Sequence, residues 1–139
     1  MVYFLDLVFL EKIVDGMIGL KAVYIANILV AGWISITSLF FPKKAALSVF
    51  SNAYSYSEII RLVGALWGAI FVLSILGVFY PKRMVLVLVF QLLYKSSWLA
   101  FVALPAILQK RPYPEGMTLF FLIWCVVLPF IIPWKEILG

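Results

Sequence analysis

The chain has 139 residues, 66% of them hydrophobic and only 12% charged, with a formal charge of +5. That much apolar surface exceeds what one small soluble core can hide, so lipid must cover the rest; a single integral membrane domain over residues 1–139 leaves no room for a soluble catalytic module. The basic excess gathers at the ends of apolar runs, where it meets lipid phosphates, and so predicts membrane lipids rather than nucleic acid as the partner.

Residues 2–18 are apolar but broken by Asp6, Glu11, Lys12 and Asp15. This pattern predicts an N-terminal interfacial helix, or an extension of the first span. The acids occupy the place where a secretory leader needs a basic n-region and an unbroken apolar stretch, so the spans themselves are expected to direct insertion.

The first span is read from Ala22 to Phe41, without a charge, and about twenty residues at 1.5 Å each cross a hydrocarbon core of about 30 Å. Lys21 and Pro42-Lys43-Lys44 close its ends, and Lys43 to Tyr54 is long enough for a short surface helix. The second span, about Ile59 to Tyr80, follows Ser55-Tyr56-Ser57-Glu58, which has the S-x-x-E spacing of a capping box, with Tyr54 and Ile59 placed as a hydrophobic staple. The tight polar turn Pro81-Lys82-Arg83 then predicts that the third span, Met84 to Leu108, runs antiparallel beside the second. A loop from Lys110 to Gly116 leads to the fourth span, about Met117 to Trp134. Short connections of this kind predict an all-α, up-down-up-down four-helix transmembrane bundle.

Orientation is nearly balanced. Lys12, Lys21, Lys82, Arg83 and Lys135 lie on the N-terminal side and Lys43, Lys44, Arg61, Lys110 and Arg111 on the other, five against five. Placing Arg61 inside the first turns of its span tips the count towards cytoplasmic N- and C-termini, while so small a bias also permits dual topology.

Lys95 stands near the middle of the third apolar run. A cation at that depth costs about 2.5 kcal/mol or more unless it finds water, an acceptor or a proton-free state. It lies roughly 18 Å along the helix from Arg83 and roughly 22 Å from Lys110, close to the midplane. Counting through the turn brings Gly68 and Ala69 of span two to its level, and similar counting brings Trp33 of span one and Leu122 or Ile123 of span four. No carboxylate lies at that depth, since Glu58 is about 15 Å away along the axis. Loss of the proton, or hydrogen bonds to oxygens, would relieve the cost. Pro129 and Pro105 are expected to free the carbonyls of Cys125 and Phe101, and the first falls near the level of Lys95. Gln91, one turn before Lys95, and Trp98, three residues after it, supply walls for a polar pocket that Tyr94 adjoins.

Arg61 follows Glu58 by three residues and pairs with it along one helix face; in the sharper reading Arg61 caps the mouth of the Lys95 pocket and draws in an anionic or carbonyl-bearing ligand. The same face carries Gly64, Ala65 and Gly68, a G-x-x-x-G that lets another helix approach closely. The proposed ligand-binding set is therefore Lys95, Gln91, Arg61, Trp98, Tyr94 and Glu58. Trp33, Trp67, Trp98 and Trp124 are too deep for an interfacial belt and are expected in the core, whereas Trp134, Tyr80 and Tyr113 fit the belt.

Catalytic and metal chemistry are thinly provided for. A single cysteine, Cys125, excludes an internal disulfide and a CxxC pair, and the absence of histidine removes the commonest metal ligand and general base, so neither a metal nor a cofactor is expected. The spans contain no paired carboxylates and no nucleophile with its base. An enzyme would have to use Glu58, Arg61 and Lys95 on a lipid-soluble substrate.

The stretches Ser57-Glu58-Ile59-Ile60-Arg61-Leu62-Val63-Gly64 and Gln91-Leu92-Leu93-Tyr94-Lys95-Ser96-Ser97-Trp98-Leu99, with Leu104-Pro105, resemble the small four-span bacterial membrane proteins grouped as DoxX-like. The likeness covers the central half of the chain and rests on the R-x-x-G and Y-K-x-x-W elements. It implies a compact four-helix membrane protein of the bacterial inner membrane, in a group some of whose members are associated with quinone-linked oxidation of sulfur compounds. The N-terminal segment lies outside the likeness, and one cysteine gives no dithiol for redox work. Residues and resemblance together suggest a non-enzymatic membrane protein whose Lys95 pocket binds a lipid, quinone-like or other amphiphilic ligand, as a homo-oligomer or a subunit of a membrane complex. The alternative is a small transporter or channel that uses Lys95 and acts as an oligomer.

Overall fold

A computed structural model covers residues 1–139 and is helical throughout, with no strand. The elements are α1 (Val2–Phe40), α2 (Pro42–Ser48), α3 (Ile59–Phe79), α4 (Val85–Trp98), a π-helical turn (Leu99–Ala103), α5 (Leu104–Leu108), α6 (Glu115–Ile131) and α7 (Trp134–Leu138). Three helical stretches are long and apolar enough to cross a membrane: Val2–Phe40, Ile59–Phe79 and the continuous rod Val85–Leu108. Glu115–Ile131 is apolar but has only 17 residues, about 26 Å of helix.

Residues 2–18, expected as an interfacial helix or an extension of the first span, are not a separate element but the first half of α1, which is the second of those readings. No proline interrupts the run, the helix continues through Asp6 and Asp15, and single glycines such as Gly16 and Gly19 cost a helix only about 1 kcal/mol each. The helix is thus about 58 Å long, and every residue from Met1 to Gly16 is exposed on a rod that outruns its neighbours. Packing against the other helices begins near Gly19, where an added Cβ would meet Ile131 at 3.2 Å.

The closest helix pair is α1 with α3, and small residues make it possible. A Cβ on Gly64 would lie 2.8 Å from Ser38, one on Gly68 2.8 Å from the Ser35 hydroxyl, and one on Gly77 2.5 Å from the Tyr24 ring. Bare backbone at these positions lets the antiparallel helices approach as the G-x-x-x-G spacing predicts. Tyr24 also donates from its hydroxyl to the Pro81 carbonyl at 2.8 Å, which fastens α1 to the turn between α3 and α4.

Two other expectations need correction. Helix α3 starts at Ile59 with Glu58 as its N-cap and no side-chain cap, so Ser55-x-x-Glu58 forms no capping box. The Glu58 carboxylate instead accepts from the Tyr56 hydroxyl and pairs with Arg61 at 3.1 Å, and makes no bond back to Ser55. Ile59 is exposed and Tyr54 turns towards Phe50, ring centres 5.9 Å apart, rather than closing a staple. Although Pro81-Lys82-Arg83 joins α3 and α4 tightly, the two helices touch little; α3 packs on α1 and α4 on α6.

The π turn accommodates Pro105. Proline cannot donate to the carbonyl four residues back, and its ring crowds that carbonyl. The chain widens just before it, with the Leu104 N–H bonding the Leu99 carbonyl five residues earlier, and the added residue turns Ala103 and Ala106 inward. Pro129 lies inside α6, which ends at Ile131 before Pro133; the Trp134 indole donates to the Pro129 carbonyl at 2.8 Å.

Candidate functional site

Lys95 is wholly enclosed by protein. Its exposure is 0%, and Nζ donates to Oε1 of Gln91 at 2.8 Å and to the hydroxyl oxygen of Tyr94 at 2.7 Å. The rings of Trp67, Phe121 and Phe120 stand 5.0, 5.2 and 5.7 Å from the amine, supplied by α3 and α6. A desolvated cation–π contact contributes about 2 kcal/mol, so an aromatic cage and two oxygens replace the missing carboxylate. Tyr94 acts through its hydroxyl, since Nζ is nearer to that oxygen than to the ring centre at 4.5 Å. The freed Cys125 carbonyl expected as an acceptor is not among the partners of Nζ.

Beside this cage lies a cavity of about 480 Å³. It separates α3 from α4 under the loop that follows α2, which explains the sparse contact between those helices. Its inner wall is aromatic: Trp67, Tyr94, Trp98 and Phe121, with Ile70. Ile59, Leu66 and Phe90 also line it while being 68%, 52% and 50% exposed, so the cavity opens sideways between α3 and α4 onto the apolar flank of the molecule. At the end where α3 begins, its lining turns polar with Tyr54, Ser55 and Ser57. Lys95 does not reach this space; Tyr94 does, and takes the lysine's hydrogen bond while forming part of the wall.

The structure therefore brings together four of the six residues proposed from sequence. Lys95, Gln91 and Tyr94 form one hydrogen-bonded cluster, and Trp98 stands beside it against Phe121, ring centres 5.3 Å apart. Arg61 and Glu58 lie elsewhere. The Arg61 guanidinium pairs with Glu58 and donates to the Leu39 carbonyl of α1 at 3.3 Å, so it points towards α1 and caps no pocket. The sequence reading missed Trp67, Phe90, Phe120 and Phe121. The available signal was depth: Trp67 is one residue from Gly68, and Phe121 one from Leu122, the levels counted for Lys95. Trp33, expected in the core at that level, is 53% exposed on the outer face of α1.

A second polar contact lies within the core. The Trp124 indole donates to Oδ1 of Asn27 at 3.1 Å, linking α6 to α1. Buried polar atoms without a partner are Asn27 Nδ2, Ser38 Oγ, Ser74 Oγ and Gln91 Nε2.

No family model, curated protein or solved structure matches this chain. Fold and site together define a helical protein with three helices long and apolar enough to cross a membrane, a caged amine and an apolar cavity that opens on its apolar flank.

Proposed function

We propose that this is an integral membrane protein of four spans, with α6 as the fourth, whose cavity between α3 and α4 binds the apolar part of a lipid, quinone-like or other amphiphilic ligand. One observation carries the reading: the cavity is aromatic within, lies in the ~300–1,000 Å³ range of small-molecule sites, and opens sideways on a surface made of exposed apolar side chains. A ligand dissolved in the bilayer reaches such an opening without crossing water. Lys95 serves the site indirectly, by fixing Tyr94 and drawing the rings of Trp67 and Phe121 into a rigid back wall.

In this reading residues 2–18 carry α1 beyond its span, the chain sits in a bacterial inner membrane with both termini cytoplasmic, and it works as a homo-oligomer or a subunit of a membrane complex. The DoxX-like resemblance of the α3 start and of Gln91–Leu99 belongs to the same proposal, because those segments supply much of the cavity wall.

The test is binding of an uncharged fluorescent amphiphile, dansyl-undecanamide, to the purified chain in a neutral maltoside detergent. Saturable binding is expected, and Val63→Trp or Leu66→Trp, which fill the cavity from α3, should weaken it roughly tenfold or more, equivalent to about 1.4 kcal/mol. Binding that both fillers leave intact overturns the reading. Proton-linked flux in vesicles that Lys95→Met abolishes would instead make Lys95 the working group of a transporter.

A further inference from the structure

The cavity has two chemically distinct ends. Its depth offers aromatic and aliphatic carbon from Trp67, Ile70 and Phe121, whereas Tyr54, Ser55 and Ser57 line the end beneath the α2–α3 loop. Tyr56, in the same loop, is committed to Glu58, but the hydroxyls of Tyr54, Ser55 and Ser57 form no side-chain hydrogen bond of their own. No carboxylate lines the cavity anywhere. A bound amphiphile would therefore meet hydroxyl donors at one end, where the nearest carboxylate, Glu58, is paired with Arg61.

Cations stand at this same end. Helix α5 closes with Lys110 in the left-handed region at φ 53°, a conformation uncommon for a residue with a Cβ, and with the Arg111 N–H bonded to the Ala106 carbonyl at 2.8 Å. This six-to-one bond, with the preceding residue left-handed, is a Schellman stop, and it holds Arg111 where the chain leaves α5. Arg111 forms neither of the molecule's two ion pairs. Counting nearly equal lengths to either side of the Pro81-Lys82-Arg83 turn brings Arg111 to about the level of Tyr54 at the polar end of the cavity; in keeping with this, burial pushes the Tyr54 phenol up and the Arg111 charge works against it.

The wider charge distribution has the same sense. The end that holds the mouth carries Lys43, Lys44, Arg61, Lys110 and Arg111 against Glu58 and Glu115, an excess of three cations. At the opposite end, including the α1 extension, Lys12, Lys21, Lys82, Arg83 and Lys135 face Asp6, Glu11, Asp15 and Glu136, an excess of one.

We infer that the ligand of this cavity is an anionic amphiphile, whose carboxylate or phosphate head is held at the Tyr54–Ser57 mouth near Arg111 while its chain runs inward along Trp67 and Phe90. The inference rests on the cavity being a ligand site and adds the charge and direction of the occupant. Hydrogen bonds to an ionised acceptor are about twice as strong as neutral ones, so the head is recognised by more than general attraction to a basic surface.

Competition in neutral maltoside detergent at pH 8 tests it, with dansyl-undecanamide as the uncharged reporter and undecanoate, dodecyl phosphate, undecanol and inorganic phosphate as competitors. Undecanoate and dodecyl phosphate should displace the reporter at roughly tenfold lower concentration than undecanol, and inorganic phosphate alone should displace nothing, because the chain supplies most of the binding. Arg111→Gln should bring the two anions down to the potency of undecanol without altering undecanol itself. Lys43→Gln, a charge removed from α2 at the same end, should leave the preference in place. Equal potency of anion and alcohol, or a preference that survives Arg111→Gln or is lost equally in Lys43→Gln, overturns the anionic head, and displacement by inorganic phosphate overturns the amphiphile in favour of a free anion. Reporter binding that Val63→Trp still abolishes would leave the cavity itself standing in each of those cases; loss of the cavity reading shows separately, as reporter binding untouched by Val63→Trp.

Discussion

Tyr94 accepts a hydrogen bond from Lys95, its immediate neighbour in the chain, at 2.7 Å. Adjacent residues on a helix point about 100° apart and do not ordinarily meet. Here the long lysine stem lies inside the protein and carries Nζ round to the Tyr94 hydroxyl, while Gln91, one turn back, takes a second hydrogen. The amine thus sits on the boundary between the closed core and the open cavity, and Tyr94 belongs to both.

Lys95→Met should separate the amine from its shape. Methionine fills a similar volume, but Oε1 of Gln91 then loses its donor beside an Nε2 that already has none, and a buried unsatisfied polar group costs about 1–3 kcal/mol. The single variant is expected to unfold at a lower denaturant concentration than the parent in a detergent titration followed by tryptophan fluorescence. Lys95→Met with Gln91→Leu removes both partners and should recover most of the loss. Should the double variant be no better than the single, the amine is not satisfied by Gln91 in the way its geometry indicates.

Gly77→Ala should disturb the α1–α3 seam. The new methyl would stand 2.5 Å from the Tyr24 ring, and moving that ring breaks its hydrogen bond to the Pro81 carbonyl. Overpacking of this kind costs about 1–3 kcal/mol. Gly16→Ala is the matched control, since nothing lies within 4 Å of its added carbon and the helix should gain about 0.5–1 kcal/mol from the change. Thermal unfolding of the two variants should therefore shift in opposite directions.

The contrast between Lys95 and Arg61 shows what depth counting along an apolar run can and cannot give. Depth follows from residue number and a fixed rise, so it brought Lys95 to the level of Trp67 and Phe121 within a residue or so. Which helix stands on which side is a rotational matter, and the short Pro81-Lys82-Arg83 turn suggested α4 as the partner of α3. The glycines held the better clue: Arg61 shares a face with Gly64 and Gly68, and a face of bare backbone belongs to the closest neighbour, which is α1. Arg61 accordingly ends against Leu39, and the cavity occupies the other side of α3, where bulky Trp67 and Leu66 hold α4 away. The continuity of α1 was legible only as one of two readings, because Asp6, Glu11 and Asp15 disfavour burial in lipid without disfavouring a helix.

Ser74→Ala is expected to be neutral or stabilising. Its hydroxyl is fully buried and has no partner, so deleting it removes an uncompensated polar atom at little loss of packing, with a gain of up to about 1 kcal/mol. Asn27→Leu, although equally apolar in intent, should destabilise, because it strands the Trp124 indole that now donates to Oδ1. An unfolding midpoint for Ser74→Ala well below the parent's would mean that the hydroxyl has a partner, water included, that stabilises the native state.

The proposed fourth span is open to a direct test through cysteine chemistry. Helix α6 covers about 26 Å, a little short of a hydrocarbon core of about 30 Å, so it can cross only if the flanking Pro114 and Pro133 segments lie at the interface or the bilayer thins locally. Cys125, half-buried near its middle, should then resist a membrane-impermeant maleimide in sealed vesicles. In a Cys125→Ala background, Glu115→Cys and Lys135→Cys should be labelled from opposite sides of the vesicle, since they flank the helix. Labelling of both from one side would mean that α6 folds back rather than crosses. The aromatic cage would survive that outcome, because Phe120 and Phe121 reach Lys95 from the first turns of α6, but the sideways opening would then face a different medium and the amphiphile reading would lose its route of entry.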